Sequence, residues 1–277
     1  MLVVKLGGAA GIEPGALVKD LADCLKGAAA GPAGRTAREV VLVHGGSAAA
    51  DELALALGRP PRHYMSPSGV KSRYTDRAAL EVLLMACAGR LNKLLVEALQ
   101  KEGVNALGLS GLDGRLITGL RKKAVKAVVD GRTVVLRDDY SGRLEAVNAP
   151  LLRLLLSAGC TPVISSLALS EAGEALNLDA DRVAAGVACA LGAEALVFLS
   201  NVPGLLRDPA DARSLISRIP AAKLASFQGV AQGRMKKKLL AAAEAVAGGV
   251  ERVIIADARR ARPLTLALAG EGTVIAA

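Results

Sequence analysis

Short aliphatic runs alternate with helical patterns through most of this chain, and that alternation restricts the folds open to it. Leu2–Leu6, Val40–Val43, Val104–Leu109, Thr161–Ser165, Ala195–Ser200, Arg252–Ala256 and Thr273–Ala276 read as strands. Glu13–Ala30, a segment opening at Ser47, Asp76–Leu99 (one or two helices around Gly89), Pro150–Ala158, Asp179–Leu191 and Met235–Ala247 read as helices. Strands so largely apolar offer water no polar face, so helices are expected to cover both sides of a mainly parallel sheet. The predicted fold is α/β, a three-layer αβα sandwich. Hydrophobic residues make up 52% of the 277 positions but aromatic residues only 2%, so the core must be Leu, Val, Ile and Ala. This length suits one large domain or two lobes sharing a sheet. A lobe boundary is expected near Gly192, dividing the chain into 1–191 and 192–277.

From Arg115 to Val147 the pattern changes. Ala124–Val129, Thr133–Leu136 and Arg143–Val147 are short β-branched runs separated by Asp130-Gly131 and Ser141-Gly142, which predicts hairpins. Gly31-Pro32-Ala33-Gly34 predicts a loop.

Several classes are disfavoured. The longest uncharged stretch, Leu154 to Ser170, holds Gly159 and Pro162 and reads as helix end, turn and strand, not a membrane span. The opening MLVVKLGG is broken by Lys5 and two glycines, so it predicts a first strand, not a signal peptide. Cys24, Cys87, Cys160 and Cys189 lie far apart with no C-x-x-C pair, and the chain has two histidines. That supports neither a disulfide framework nor a zinc site, and a cytoplasmic location is expected. The net charge of +9 draws acidic partners: nucleotide phosphates, nucleic acid or an acidic protein. Scarce aromatics argue against stacked single-stranded nucleic acid.

The common nucleotide fingerprints are missing: no G-x-x-x-x-G-K-S/T, no G-x-G-x-x-G after a strand, no H-R-D or D-F-G. Any phosphate site must be assembled from other parts, and four segments offer them. In Lys5-Leu6-Gly7-Gly8 an ammonium sits beside backbone that glycine lets approach phosphoryl oxygens, although an ordinary turn also explains it. His44-Gly45-Gly46-Ser47 leads a strand into a helix whose free N–H groups suit an anion, with His44 itself read as structural. In Asn177-Leu-Asp179-Ala-Asp181, Asp179 would cap a helix and Asp181 would sit in its first turn, which needs no function. Gly233-Arg-Met-Lys-Lys-Lys238 opens a helix with cations that oppose its dipole, which asks for a compensating anion or else marks a solvated face.

In this order and spacing the segments resemble the amino-acid kinase family, and within it the acetylglutamate kinase group, over essentially the whole chain. The family's K-x-G-G matches Lys5–Gly8, and its H-G-G-G matches His44–Ser47 with serine last. Its substrate-gripping arginine matches Arg73, its N-x-N-x-D matches Asn177–Asp181, its S-D-V-x-G matches Ser200–Gly204, and its G-G-M-x-x-K matches Gly233–Lys238. Ser47, Asp179 and Arg234 depart from the usual acetylglutamate kinase pattern. With Ser72–Arg77, Gly108–Gly114 and Gln232–Met235 they resemble the lysine-biosynthesis branch, which phosphorylates α-aminoadipate carried on the small acidic protein LysW.

The resemblance implies the amino-acid-kinase fold, ATP with Mg²⁺ as phosphoryl donor, no protein-liganded metal, and transfer to a carboxylate. It gives Lys5, Lys238 and Asp181 catalytic roles, with Lys237 the fallback if the register slips. Gly45, Gly46, Ser47, Arg73 and Asn177 are expected to bind substrate in the N-terminal lobe. Gly7, Gly8, Ser200, Asn201, Gly204, Leu205, Gly233 and Met235 are expected to bind ATP, mostly from the C-terminal lobe. Arg59, Arg62, Lys71, Arg115, Arg121, Lys122, Lys123 and Lys126 are expected to form a basic rim for the carrier. A homodimer is implied, with neither nucleic acid nor membrane as a partner. Acetylglutamate kinase activity, or the same reaction on LysW-bound glutamate, is the alternative. A nucleotide- or nucleic-acid-binding protein without catalysis stands as the reading of a different class.

Overall fold

A computed structural model of the chain describes residues 1–29, 39–67, 69, 71–129 and 132–276. The loop read at Gly31–Gly34 and the Asp130-Gly131 turn lie outside the described residues. Eight strands form a central sheet in the order Arg218–Pro220, Thr273–Ala276, Arg252–Asp257, Ala195–Ser200, Leu2–Leu6, Val40–His44, Thr161–Ser165, Ala106–Ser110. Neighbours run parallel except where Thr273–Ala276 meets Arg252–Asp257. Leu2–Leu6 pairs with Ala195–Ser200, so the sheet is continuous across Gly192.

The period-two alternation of strands splits the core into two layers. Val3, Val43, Phe198 and Ile255 pack on the side of helices Ala149–Ser157, Ala180–Leu191 and Arg234–Ala247. Leu2, Val4, Leu42 and Ile254 pack on the side of helices Pro14–Ala29, Asn92–Lys101 and Pro263–Leu268. The predicted three-layer αβα sandwich is the observed one. Phe198 is the one aromatic among the largest fully buried side chains, in an otherwise aliphatic core.

Two smaller sheets flank the carboxyl edge. Lys71–Arg73, His63–Met65, Val125–Val129 and Arg132–Leu136 form one, with the last two strands paired as the predicted hairpin. Gly142–Val147 does not join that hairpin, contrary to the expectation for Arg143–Val147. It pairs with Ile117–Arg121, in a sheet that also holds Leu167–Ser170 and Ala175–Asn177. A local run cannot announce its partner, and here the partner lies upstream of the intervening hairpin.

The stretch from Asp76 is helical throughout, as expected, but with π turns in its middle. Helix Arg77–Leu83, capped by Asp76 through a 2.9 Å bond from the Ala79 N–H, continues as a π-helix over Leu84–Leu91 and then as helix Asn92–Lys101. Gly89 lies inside the wide π turns and breaks nothing. No described helix is long and apolar enough to cross a membrane.

Candidate active site

Beyond the carboxyl ends of Leu2–Leu6, Val40–His44 and Ala195–Ser200 opens a cleft of about 1370 Å³. This is the edge where parallel sheets expose turns and helix N-termini together. Lys5 lies on the Val3 face of its strand, under helices Ala180–Leu191 and Arg234–Ala247, because side chains alternate.

Lys5 Nζ lies 2.8 Å from Asp181 Oδ1, and Lys238 Nζ lies 3.1 and 3.0 Å from Oδ1 and Oδ2 of the same carboxylate. Relative exposures are 6% for Lys5, 5% for Lys238 and 8% for Asp181. Two ammonium groups thus share one carboxylate, leaving a net positive charge in a poorly solvated corner of the cleft. Burial alone would raise the Asp181 carboxyl, but the charges of Lys5 and Lys238 and their hydrogen bonds hold it well below the ordinary carboxylate range. Burial pushes the Lys238 ammonium down, the adjacent Asp181 partly opposing it and Lys5 adding to the fall. Lys238 Nζ also lies 5.3 Å from the centre of the Phe198 ring, one strand over from Lys5. Of the basic run, Lys238 is the member that meets Asp181. Lys237 reaches only Asp179, at 3.9 Å.

The glycine turns fit around each other at a spacing that excludes side chains. Ser47 Oγ and the Ala48 N–H donate to the Gly8 carbonyl at 2.8 and 2.9 Å. A Cβ on Gly8 would stand 2.3 Å from Gly46 N and 2.6 Å from the Gly45 carbonyl carbon. Gly8→Ala is therefore expected to push the two turns apart and lower turnover at least tenfold, with the melting temperature read alongside. Helices Ser47–Ala56 and Arg234–Ala247 begin at Gly46 and Gly233 with no side-chain cap, and no acidic residue lies in either first turn. Gly233 holds a φ of 52°, a conformation that favours glycine. Among the described residues no protein acceptor meets the Gly8 or Gly46 N–H. Orphan donors, two open helix starts and uncompensated ammonium charge fit a polyphosphate.

Arg73 lines the cleft beside the glycine turns, where its Nη2 donates to Asp51 Oδ1 at 2.6 Å and to the Ser47 carbonyl at 3.2 Å. Asn177 lines the cleft and donates to Thr75 Oγ1 at 3.1 Å. Gly7, Gly45, Ser200, Asn201, Gly204, Leu205, Gly233 and Met235 also line it. Asp179 caps helix Ala180–Leu191 by accepting from the Asp181 and Arg182 N–H groups at 3.0 and 3.2 Å, which places Asp181 in the first turn.

The basic rim divides. Lys71, Lys122 and Lys126 line the cleft, whereas Arg59, Arg62, Arg115, Arg121 and Lys123 do not. Arg62 is engaged with Asp76 and lies over the Tyr74 ring. Arg121 is held by Glu174 at 3.0 Å and lies over the Tyr140 ring at 3.7 Å, so it braces the fold and presents little free charge. Asp51 and Arg143 line the cleft and were missed in the sequence. Asp51 stands one helical turn after Ser47, a spacing that would have pointed to it. His44 is buried, and burial above all lowers its imidazole pKa to about 4, so it is neutral.

Residues 1–257 match the Amino acid kinase family. The chain belongs to this family. It is 52% identical to the LysW-aminoadipate kinase of Deinococcus radiodurans over 99% of its length and 91% of the relative's. It is equally 52% identical to the LysW-aminoadipate kinase of Thermus thermophilus, covering 99% of this chain and all of that one. The acetylglutamate kinase of Methanopyrus kandleri is 37% identical over 99% of this chain and all of its own. Among solved structures, N-acetylglutamate synthase from Neisseria gonorrhoeae with coenzyme A and N-acetyl-glutamate superposes with a TM-score of 0.76 at 30% identity. It is matched over all of this chain, which spans only 59% of that protein. Carbamate kinase from Giardia, at 18% identity and TM-score 0.65 over 99% of this chain and 98% of that one, shares the fold. The amino-acid-kinase resemblance drawn from the lysine, glycine and aspartate motifs is borne out.

Proposed function

We propose that this amino acid kinase transfers the γ-phosphoryl group of ATP to the distal carboxylate of α-aminoadipate carried on LysW. The observation that carries the reading is the Lys5–Asp181–Lys238 cluster at the floor of the cleft, in a chain 52% identical to two LysW-aminoadipate kinases. A carboxylate oxygen attacks the γ-phosphorus, the bond from that phosphorus to the bridging oxygen of the leaving ADP breaks, and an acyl phosphate and ADP result. No proton moves, since the nucleophile is already anionic, so alignment and charge neutralisation make up the catalysis.

In this reading Lys5 and Lys238 offset the charge on the migrating group from two sides, and Asp181 holds both. The Gly8 and Gly46 N–H groups donate to its equatorial oxygens. Arg73 grips the substrate's second carboxylate and Asn177 its amide. Residues 192–277, with Ser200, Asn201, Gly204, Leu205, Gly233 and Met235, serve the nucleotide, and residues 1–191 serve the acceptor. Mg²⁺ bound with the nucleotide would supply further neutralisation of phosphate charge during the transfer.

Lys71, Lys122 and Lys126 on the cleft wall favour an acidic carrier over a small free acid. The 37% identity to an acetylglutamate kinase keeps a second reading in view, in which free N-acetylglutamate is the acceptor. Assay of purified LysW bearing aminoadipate, LysW bearing glutamate, and free N-acetylglutamate separates them. The expected kcat/KM for carrier-bound aminoadipate exceeds that for the free acid by at least a hundredfold. Efficient turnover of free N-acetylglutamate without carrier would reverse the assignment.

A further inference from the structure

His44 and Asn92 form a buried polar pair behind the Gly45-Gly46 turn. Their exposures are 1% and 0%. His44 ends the strand Val40–His44, opposite Leu6 on one side and Ser165 on the other. Asn92 stands where the π-helix Leu84–Leu91 returns to α geometry. That wide-turned segment is one of the unusual backbone features that accompany functional sites.

The chemistry of the pair is fixed from one end. Asn92 Nδ2 lies 2.9 Å from the Val163 carbonyl and 3.4 Å from the Leu109 carbonyl. Carbonyls only accept, so the atom facing them is the amide nitrogen, and the side chain cannot be flipped. Asn92 Oδ1 points the other way, accepting from Lys93 Nζ at 3.2 Å. The same Nδ2 lies 3.0 Å from His44 Nε2; its two hydrogens serve the two shortest contacts, to the Val163 carbonyl and to Nε2, so Nε2 accepts. A neutral imidazole that accepts at Nε2 carries its proton on Nδ1. His44 Nδ1 lies 3.0 Å from the Gly45 carbonyl oxygen, to which it then donates. Because the peptide is planar and trans, holding the Gly45 carbonyl also sets the direction of the Gly46 N–H on the opposite edge of the same plane.

We infer that Asn92 and His44 are positioning residues for the transfer, a two-step hydrogen-bond relay that aims the Gly46 N–H at the phosphoryl group. The inference rests on the kinase reading for the purpose of the N–H, but the relay stands on its own geometry. It accounts for two observations at once. A polar side chain under an aliphatic sheet is tolerated because every bond has a defined direction. A glycine with no Cβ to restrain it is held by its neighbour's carbonyl, which preserves a preorganised donor without a side chain in the cleft. The tautomer is set by helix Asn92–Lys101, which lies on the opposite face of the sheet from the Lys5–Asp181–Lys238 cluster.

The test has a spectroscopic and a kinetic arm. The chain contains two histidines, His44 and His63, so a ¹⁵N spectrum of imidazole-labelled protein shows two rings, and the variant His44→Asn assigns them. The His44 ring is expected as the neutral Nδ1–H tautomer from about pH 5.5 to 8, the span in which an ordinary imidazole titrates. An Nε2–H tautomer overturns the relay outright, whether or not any variant folds and whether or not the wild type is a kinase. In the kinetic arm, His44→Leu and Asn92→Ala are expected to lose about tenfold or more in kcat with KM for ATP within about twofold. His44→Asn, whose amide nitrogen can replace Nδ1 as donor, should stay within about threefold of wild type. Folded His44→Leu within threefold of wild type, or losses no greater than those of His44→Asn, would overturn the positioning role. Absence of wild-type turnover on every acceptor rejects the kinase reading instead, leaving the tautomer spectrum to decide the relay.

Discussion

Alanine in place of Lys5 or Lys238 is expected to lower turnover by about 10²- to 10³-fold, the scale of one preorganised electrostatic contact, in a protein that still folds. Each ammonium is held at 3.1 Å or less from Asp181, so losing one leaves the carboxylate paired with the other. No buried charge is stranded, and the fold should tolerate the change. Because the proposed mechanism makes the lost interaction strongest with the migrating phosphoryl, kcat and kcat/KM should fall together while KM for the acceptor moves little. Steady-state kinetics with circular-dichroism melting tests both halves. Lys237→Ala serves as the control: its ammonium lies 3.9 Å from Asp179 and does not reach Asp181, so its loss should be within a few-fold. Near-wild-type rates for Lys5→Ala or Lys238→Ala would remove the basis of the proposed mechanism.

Replacing the shared anion has a different expected signature. Asp181→Asn keeps the shape and leaves two buried ammonium groups facing one another without a counter-charge. Breaking a buried pair from one side costs about 3 kcal/mol or more, which for a chain of this size lowers the melting temperature by roughly 6–12 °C. The pH dependence follows from the depressed Asp181 carboxyl. A group ionised more readily when folded contributes stability that is fully present above its unfolded pKa, about 3.9. That contribution is lost as pH falls further. Wild type should therefore lose stability as pH drops below about 4 more steeply than Asp181→Asn, with the two curves converging in acid. Adding Lys5→Met to Asp181→Asn should recover part of the melting temperature by removing one of the two repelling cations. An Asp181→Asn protein that melts with wild type at neutral pH would show that the cluster is not held as a coupled unit.

The long aliphatic strands were legible because burial on both faces leaves them mostly apolar, and the few polar members, Lys5, Thr161, Ser165, Ser200 and Thr273, do not hide the run. Leu2–Leu6, Thr161–Ser165, Ala195–Ser200 and Thr273–Ala276 have the bounds that their composition suggested. The three-residue strands His63–Met65, Lys71–Arg73, Ala175–Asn177 and Arg218–Pro220 were not, since three residues cannot display an alternation. The π-helical turns at Leu84–Leu91 use ordinary helix-forming residues and carry no signal of their own. In the site, lysines opening a helix against its dipole were a local anomaly pointing to an anion, and Lys238 does meet Asp181. The Arg73–Asp51 pair escaped notice because a carboxylate mid-helix looks like solvated surface until the strand bearing Arg73 is folded over it. Asn92 was invisible for the same reason. It belongs to an amphipathic helix by sequence, and only the packing of that helix on Val163 and His44 gives its amide a task.

The unbroken sheet across Gly192 has a consequence for how such a molecule can change what it accepts. Lys5, the Gly45-Gly46 turn and Ser200 hang from three adjacent strands, whose lateral spacing is set at about 4.8 Å by backbone bonding alone. The proposed reaction centre is therefore ruled off on a lattice that side-chain replacement cannot stretch. The hairpins bearing Lys71 and Lys126 belong to a separate sheet. They can be lengthened, recharged or exchanged as fittings, so the appetite of the molecule can drift while its chemistry stays put.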